Sequence, residues 1–195
     1  DLPLMGLEQS FAAGARTLVI GAAPVGGSLP PHWLGAIETA LAVGFDIANG
    51  LHTRLGEMAS LMELSDRHGR QIHDLRYPQG QAFAVGTGRP RSGRRLLTVG
   101  TDCAVGKMFT ALSLEQELQR RGHAATFRAT GQTGILIAGR GVAVDAVVAD
   151  FLSGAVEELA PANEPEHWDL IEGQGSLFHP GYAGVSLGLL HGAQA

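Results

Sequence analysis

The sequence has little of several features that define whole classes of protein. Its 195 residues include one cysteine, Cys103, which excludes an internal disulfide framework, and no cysteine and histidine cluster has the spacing of a zinc site. No apolar run approaches the roughly 18 to 20 residues of a membrane span, and no basic segment precedes an apolar one as in a signal peptide. We therefore expect a cytoplasmic protein that has no membrane partner.

Charge of either sign is also scarce. Charged residues make up 17% of the chain and hydrophobic residues 45%, which is too little charge for a disordered chain and enough apolar surface for a packed core. The net charge of -5 gives no general attraction to a nucleic-acid backbone, so no nucleic-acid partner is expected. The composition leaves a monomer and a homo-oligomer both open.

Glycine, by contrast, is abundant, and the 28 glycines separate short apolar strands from amphipathic helices. In the first 78 residues the apolar pattern alternates between the two. It predicts strands at 17–21, 45–48 and 71–75 and helices at 33–44 and 58–69. Such alternation predicts right-handed crossovers and a parallel sheet, so residues 1–78 are expected to form a Rossmann-like domain.

The pattern stops and then restarts further along the chain. Residues 79–95 are rich in proline, glycine and arginine and are predicted to be a linker. From residue 96 to 195 the sequence predicts a second α/β domain, with strands at 96–100, 124–129 and 168–172, helices at 106–121 and 144–160, and a glycine-rich loop at 131–141. A nucleotide-binding sheet usually has five or more strands. We therefore expect both domains to be incomplete at the chain ends.

The most specific motif is a glycine-rich turn between the strand predicted at 96–100 and the helix that follows it. Its residues are Gly100, Thr101, Asp102, Cys103, Ala104, Val105, Gly106, Lys107 and Met108. Backbone N–H groups, a helix N-terminus and a lysine ammonium together bind phosphate, so this segment is predicted to be a P-loop. Five residues separate its glycines where four are usual, and Met108 replaces the serine or threonine that ligates magnesium.

The sequence of this loop resembles that of the P-loop of dethiobiotin synthetase, in which Gly-Thr-Asp-x-x-Val-Gly-Lys is followed by threonine. Other blocks resemble the D-glutamate N-acetyltransferase-like family, a P-loop family formerly of unknown function. They are Ala-Thr-Gly-Gln-Thr-Gly at 129–134, Val-Asp-Ala-Val-Val-Ala-Asp-Phe at 144–151, Ile-Glu-Gly-Gln-Gly-Ser-Leu-Phe-His-Pro at 171–180, Ala-Pro-Val-Gly-Gly-Ser-Leu-Pro at 23–30 and Ile-Ala-Asn-Gly-Leu-His at 47–52.

The second resemblance covers nearly the whole chain and implies an N-terminal Rossmann-like domain followed by a P-loop domain. It also implies acetyl transfer from acetyl-CoA to the amino group of D-glutamate, a step in D-amino-acid catabolism. Because coenzyme A carries an ADP-like pyrophosphate, the P-loop is expected to hold it. Two alternatives stay open: an ATP- and magnesium-dependent ligase or kinase resembling dethiobiotin synthetase, and a non-catalytic nucleotide-binding sensor.

Residues beyond the P-loop supply candidate catalytic groups. Glu172 ends a predicted strand, where it could act as a base, bind magnesium or cap the next turn; the similar Glu-Gly-x-Gly of dethiobiotin synthetase is a metal site. His179 is the candidate general base for the attacking amine, and the backbone N–H groups of residues 173–175 are candidate oxyanion donors. Asp145, on the predicted helix 144–160, is a second magnesium candidate if a metal is used.

Other polar residues are expected to contact an amino-acid substrate. Arg128 and Arg140 are candidates to bind its carboxylates, because a guanidinium binds a carboxylate with two hydrogen bonds. The remaining candidates lie in predicted loops, namely Gln132, Thr133, Ser176, Asn49 and His52. For Asn49 and its neighbour Gly50, turn formation is an equally good interpretation.

Overall fold

The computed structural model describes residues 3–22, 24, 28–77 and 82–194. The chain divides into two compact units, Asp1–Tyr77 and Pro78–Ala195. In each unit helices alternate with strands, and the strands pair in parallel. This confirms the α/β class predicted from the sequence.

The first unit contains one parallel sheet with helices between its strands. Its elements are α1 (Leu7–Ala12), β1 (Thr17–Ile20), α2 (Leu34–Val43), β2 (Asp46–Asn49), α3 (Ala59–His68) and β3 (Ile72–Asp74). The strand order is β1-β2-β3, with Thr17 opposite Asp46 and Ile47 opposite Ile72. Each β-α-β crossover therefore returns to the neighbouring strand.

Local sequence explains where the helices of this unit begin and end. A 3₁₀ turn at Pro31–Trp33 leads into α2, and Gly44 ends α2 in the left-handed region with φ 116°. The apolar residues between these limits face the sheet. With residues from β2 and the following loop they form a core that contains Ile37, Ala40, Leu41, Phe45, Ile47, Leu55 and Leu61.

The second unit is built around another parallel sheet. Its elements are β4 (Arg94–Leu97), α4 (Lys107–Arg120), β5 (Ala125–Arg128), α5 (Gln132–Ala138), α6 (Ala149–Leu159), β6 (Trp168–Ile171) and α7 (Ala183–Gln194). The strand order is β4-β6-β5. Because β6 is central, the loop that follows it lies between the loops that follow β4 and β5. None of the helices in the described ranges is long and apolar enough to cross a membrane.

Four helices differ from the sequence-based expectation. The glycine-rich segment 131–141 contains α5, and α1 and α7 were not predicted. The helix predicted from residue 144 begins instead at Ala149, after a separate 3₁₀ turn at Val144–Ala146. Asp145 and Asp150 therefore do not lie on one helix.

Residues 82–93, predicted to be part of a linker, belong to the second unit, where residues 84–88 pack against α6. Gly86 and Gly154 allow this segment to approach α6, because a Cβ atom on Gly154 would overlap the carbonyl oxygen of Ala84. The carboxylate of Glu157 accepts hydrogen bonds of 2.8–2.9 Å from Thr87 and Gly88. These contacts explain why the glycine-rich composition does not produce a free linker here; residues 79–81 lie outside the described ranges.

Candidate phosphate-binding site

The loop between β4 and α4 has the backbone geometry of an anion-binding nest. Ala104 adopts φ 57° and is the only non-glycine residue with positive φ in the described ranges, and Gly106 adopts φ 95° immediately before α4. Alternating left-handed and right-handed residues turn successive N–H groups toward one side of the loop. The positive end of α4 adds to this local field. The predicted P-loop is thus a nest-like turn at the N-terminus of α4.

The ammonium of Lys107 lies within this loop. Its Nζ donates a hydrogen bond of 2.7 Å to the backbone oxygen of Asp102, whose carboxylate accepts one of 2.7 Å from the N–H of Cys103. Gly100 is needed for this arrangement, because a Cβ atom there would lie 2.7 Å from a methyl group of Val105. The ammonium of Lys107 is therefore held against the backbone of its own loop.

A buried threonine connects β4 to the start of α4 and to the loop after β6. The hydroxyl of Thr98 donates to the backbone oxygen of Lys107 at 3.1 Å and accepts from the N–H of Gly173 at 2.9 Å. The N–H of Gly173 is thereby used within the protein. The expectation that it serves as an oxyanion donor is wrong for this conformation.

Ser176, expected to contact the substrate, is instead buried and holds the P-loop in place. Its hydroxyl donates to the backbone oxygen of Thr101 at 2.8 Å and accepts from the N–H of His179 at 3.1 Å. The N–H of Leu177 also donates to the oxygen of Gly100 at 3.0 Å. The loop after β6 thus contacts the P-loop at two carbonyl groups.

Glu172 is 2% exposed and holds the segment after β5. Its Oε2 atom accepts hydrogen bonds from the N–H groups of Thr130 at 2.8 Å and Gly131 at 3.1 Å, and its Oε1 atom accepts one from Nε2 of Gln174 at 3.1 Å. Gly134 leaves room for the carboxylate. Burial raises the pKa of Glu172, although these hydrogen bonds act in the opposite direction. Glu172 thus caps the segment that follows β5 and not the turn that follows Glu172 itself, as the sequence had suggested; its roles as a base and as a magnesium ligand stay predictions.

A pocket of about 440 Å³ joins the P-loop to these segments. It is lined by Cys103, Ala104, Gly106, Lys107, Met108, Phe109, Gln132, Thr133, Glu172, Gly173, Gln174 and Gly175. The structure therefore brings together most of the predicted P-loop with the predicted residues Gln132, Thr133 and Glu172. The apolar side chains of Met108 and Phe109 lie on the α4 side, and polar side chains lie on the α5 side.

The two arginines predicted to clamp a substrate lie elsewhere. Arg128 and Arg140 line a separate pocket of about 250 Å³ at the outer side of β5. Arg128 also pairs with buried Asp169, with both Nε and an Nη atom 2.8 Å from Oδ1. Since this guanidinium already has a carboxylate partner, the structure does not place it at the P-loop pocket.

His179 lies on the surface, where its ring is stacked on that of Tyr182 at a centroid distance of 4.5 Å. Its Nδ1 atom accepts a hydrogen bond of 3.1 Å from the N–H of Gly181. A neutral imidazole that accepts at Nδ1 carries its proton on Nε2. In this conformation His179 offers a donor, which differs from the predicted general base.

Asn49 and His52 belong to the first unit. Asn49 is fully buried, and its amide donates to the oxygen of Thr53 at 2.7 Å and to the carboxylate of Asp74 at 2.6 Å. It therefore forms the turn, which was the alternative interpretation. His52 is exposed, and burial together with the charge of Arg76 lowers its pKa.

Asp145, the second predicted magnesium ligand, is exposed on the 3₁₀ turn at Val144–Ala146. Within the ranges described above, no group of three or more histidine, cysteine, aspartate or glutamate residues is arranged to hold a metal ion. Glu172 and Asp145 are therefore not brought together in such a group.

Sequence reasoning missed three residues of the site. Thr98 was assigned only to a strand and Phe109 only to a helix, and of Gln174 only the backbone N–H group, not the side chain, was considered. A signal was present for Gln174, because it lies two residues after Glu172 in a glycine-rich segment. The contacts of Thr98 join positions 75 residues apart, so no local pattern reports them.

The fold and the loop define a P-loop α/β protein with an N-terminal Rossmann-like unit. The P-loop domain of the domain-of-unknown-function family DUF1611 matches residues 82–195, and the Rossmann-like domain of that family matches residues 1–78. The chain belongs to the DUF1611 family. This confirms the resemblance recognised in the sequence blocks.

Two curated relatives carry the name D-glutamate N-acetyltransferase. The one from Tritonibacter scottomollicae is 53% identical over 190 residues, which is 97% of this chain and 57% of the relative. The one from a Pseudoalteromonas species is 55% identical over 186 residues, 95% of this chain and 56% of the relative. The chain thus spans little more than half the length of these relatives.

A solved structure shows the same fold. The crystal structure of a DUF1611 family protein from Anabaena variabilis has a TM-score of 0.88 and 42% sequence identity, covering 96% of this chain and 55% of that protein. The backbone arrangement described above is therefore similar to one that exists in a crystal.

Proposed function

We propose that this chain forms the phosphate-binding part of an N-acetyltransferase that transfers the acetyl group of acetyl-CoA to D-glutamate, as a step in D-amino-acid catabolism. The observation that carries the proposal is the identity of 53–55% with two D-glutamate N-acetyltransferases over almost the whole chain. The N-terminal unit and the P-loop unit are both included in that similarity.

The P-loop suits the pyrophosphate of coenzyme A. The nest at Ala104 and Gly106, the N-terminus of α4 and the ammonium of Lys107 all present positive charge to one space. Met108 stands where magnesium-nucleotide enzymes place a hydroxyl, and a pyrophosphate neutralised by Lys107 and backbone N–H groups needs no such ligand. The chain's own contribution is therefore to bind and orient the coenzyme.

The chemistry requires an uncharged amine. The ammonium of D-glutamate loses a proton to the medium, and its nitrogen then forms a bond to the acetyl carbonyl carbon. The carbon–sulfur bond breaks, and the second proton lost by nitrogen balances the thiolate to give free coenzyme A and N-acetyl-D-glutamate. Binding of the pyrophosphate orients the thioester for this attack.

Thiol release from acetyl-CoA tests the proposal. The chain is incubated without metal in the presence of D-glutamate, L-glutamate or no acceptor, with the Tritonibacter scottomollicae relative as the reference enzyme. We expect thiol release that requires D-glutamate. Lys107→Ala should reduce kcat/KM by at least tenfold, and Lys107→Arg should retain more activity because it keeps the charge.

The same experiment separates the alternatives. If the reference enzyme releases thiol and this chain does not, ATP with magnesium is added next, because acyl-phosphate chemistry needs the metal to clamp the transferred phosphoryl group. Turnover only with ATP and magnesium would replace our proposal with the ligase or kinase resembling dethiobiotin synthetase. Binding of a nucleotide without any turnover would favour the non-catalytic sensor.

A further inference from the structure

The hydrogen bonds of Glu172 fix the orientation of a neighbouring amide. A carboxylate has only acceptor atoms, so the group of Gln174 that faces Oε1 at 3.1 Å is its NH₂ group. The other carboxylate oxygen is held by the backbone N–H groups of Thr130 and Gly131. Glu172 therefore cannot turn away without leaving two buried donors unpaired.

The backbone around Gln174 is fixed as well. Its carbonyl oxygen accepts a hydrogen bond of 2.9 Å from the hydroxyl of Ser186, which is buried. Gly131 leaves the space that the Gln174 amide occupies, because a Cβ atom there would overlap the amide nitrogen. Gln174 also lines the P-loop pocket, opposite Met108 and Phe109.

We propose that Glu172 is a positioning residue that locks the side-chain amide of Gln174, so that its carbonyl oxygen faces the P-loop pocket and accepts a hydrogen bond from the bound ligand. The ligand group is an N–H or O–H donor next to the phosphates. In coenzyme A such donors occur both in the pantetheine arm and in the ribose. The inference rests on the proposed function only for the identity of this ligand.

This role differs from those of a general base and a magnesium ligand. A base or a metal ligand needs a lone pair directed at the substrate or the ion, whereas protein N–H groups already use three of the four acceptor positions of Glu172, two on Oε2 and one on Oε1. Gln174 has no useful basicity, so it selects a donor by hydrogen bonding alone. The pair thus orients the ligand and does not take up its proton.

Glu172→Gln provides the test because it keeps the size of the side chain. Its amide oxygen can still accept from Thr130 and Gly131, but its NH₂ group then faces Gln174. Two NH₂ groups repel each other, so the Gln174 amide turns over and presents a donor to the pocket. Binding is measured by calorimetry with two fragments of coenzyme A as probes, 4′-phosphopantetheine and adenosine 3′,5′-bisphosphate.

The expected result is a loss of about tenfold or more in affinity for the probe that carries the donor, since a buried donor would face another donor. Loss with 4′-phosphopantetheine places the donor in the pantetheine arm, and loss with the bisphosphate places it in the ribose. Gln174→Met should cause a similar loss, and the double variant should lose no more than either single variant. Glu164→Gln, an exposed carboxylate outside the pocket, is the matched control.

A spectroscopic measurement separates positioning from a general structural role. The side-chain N–H signals of Gln174, assigned by their absence in Gln174→Met, should exchange slowly with solvent in the unmodified chain. In Glu172→Gln they should exchange rapidly while the thermal unfolding midpoint stays close to that of the Glu164→Gln control. This readout needs neither turnover nor coenzyme.

Two results would overturn the inference: rapid exchange of the Gln174 amide in the unmodified chain, or affinities for both probes that neither Glu172→Gln nor Gln174→Met changes. Failure of both probes to bind the unmodified chain would also overturn it. Absence of acetyl transfer, with amide protection and probe binding still dependent on Glu172, would reject the proposed function and leave this inference standing.

Discussion

The guanidinium of Arg128 and the carboxylate of Asp169 form an ion pair across β5 and β6, with Asp169 fully buried and the Arg128 side chain 14% exposed. The Oδ2 atom of Asp169 has no hydrogen-bond partner in the described residues. The pair therefore neutralises a charge inside the sheet but leaves one acceptor atom unsatisfied. Such a pair is costly to break from one side only.

Asp169→Asn should lower the free energy of unfolding by about 3 kcal/mol, because the charge of Arg128 then loses its partner in a partly buried position. Urea unfolding followed by circular dichroism measures the change. Glu117→Gln is the comparison, since it removes an ion pair with Arg120 and Arg121 on the surface of α4. Equal effects of the two substitutions would contradict the buried role of Asp169.

Gly154→Ala should destabilise the second unit by about 2 to 3 kcal/mol, because the new methyl group would overlap the carbonyl oxygen of Ala84 and displace residues 82–88 from α6. Gly184→Ala in α7 meets nothing within 4 Å and should be neutral or stabilising. Thermal unfolding of both variants makes the comparison. A neutral Gly154→Ala would show that the segment does not pack against α6.

The stability of the second unit should depend on pH through Glu157. Burial acts to raise the pKa of this carboxyl. Hydrogen bonds from the N–H groups of Thr87 and Gly88 and from the hydroxyl of Thr87 outweigh burial and lower the pKa below the ordinary 4.5. The folded state thus favours the charged form, and its contribution is present above pH 4.5 and lost as the pH falls below that value. Glu157→Gln should cost about 1 kcal/mol at pH 7.

Unfolding curves recorded between pH 7 and pH 3 check this dependence. The difference between the unmodified chain and Glu157→Gln should shrink as the pH falls. A difference that stays constant over this range would show that the contribution is not electrostatic.

Cys103 offers a chemical probe of the pocket because it is the only cysteine of the chain and lines the P-loop pocket. Alkylation with iodoacetate adds a negative charge there and should weaken binding of adenosine 3′,5′-bisphosphate by tenfold or more. The ligand at ten times its Kd should in turn slow alkylation by about tenfold. Mass spectrometry follows the modification, and Cys103→Ser shows that labelling is specific.

His179 should not act as the general base in this conformation, because its Nδ1 atom accepts from Gly181 and its Nε2 atom then carries the proton. We expect His179→Gln to leave the acid limb of the pH profile of kcat/KM in place. The profile is measured for D-glutamate acetylation between pH 5 and pH 9. Loss of that limb would restore His179 as the general base.

Local patterns predicted the α/β class and the P-loop, because both depend on residues that are neighbours in sequence. Helix α5 was missed because Gly131 and Gly134 read as turn residues. They are tolerated in the structure because Glu172, about 40 positions later, fills the space beside them and accepts the N–H group of Gly131. That interaction forms because β6 is the central strand of the sheet, and no pattern of neighbouring residues in the sequence predicts it.

The surroundings of Arg128 could not be predicted from the sequence for a related reason. The sequence shows an arginine at a strand end, but its partner Asp169 lies on the neighbouring strand, 41 positions away. In a parallel sheet, neighbours in space come from distant parts of the chain. Contacts between side chains on neighbouring strands therefore could not be predicted from the sequence alone.

The hydroxyl of Ser176 has a wider consequence for how this P-loop can be used. It holds Thr101 and the backbone of His179 together, so the curvature of the loop is imposed by a segment about 75 residues downstream. A peptide comprising residues 96–108, or a graft of those residues into a foreign scaffold, lacks that support. We therefore expect a transferred loop to keep its curvature only if the loop after β6 is transferred with it.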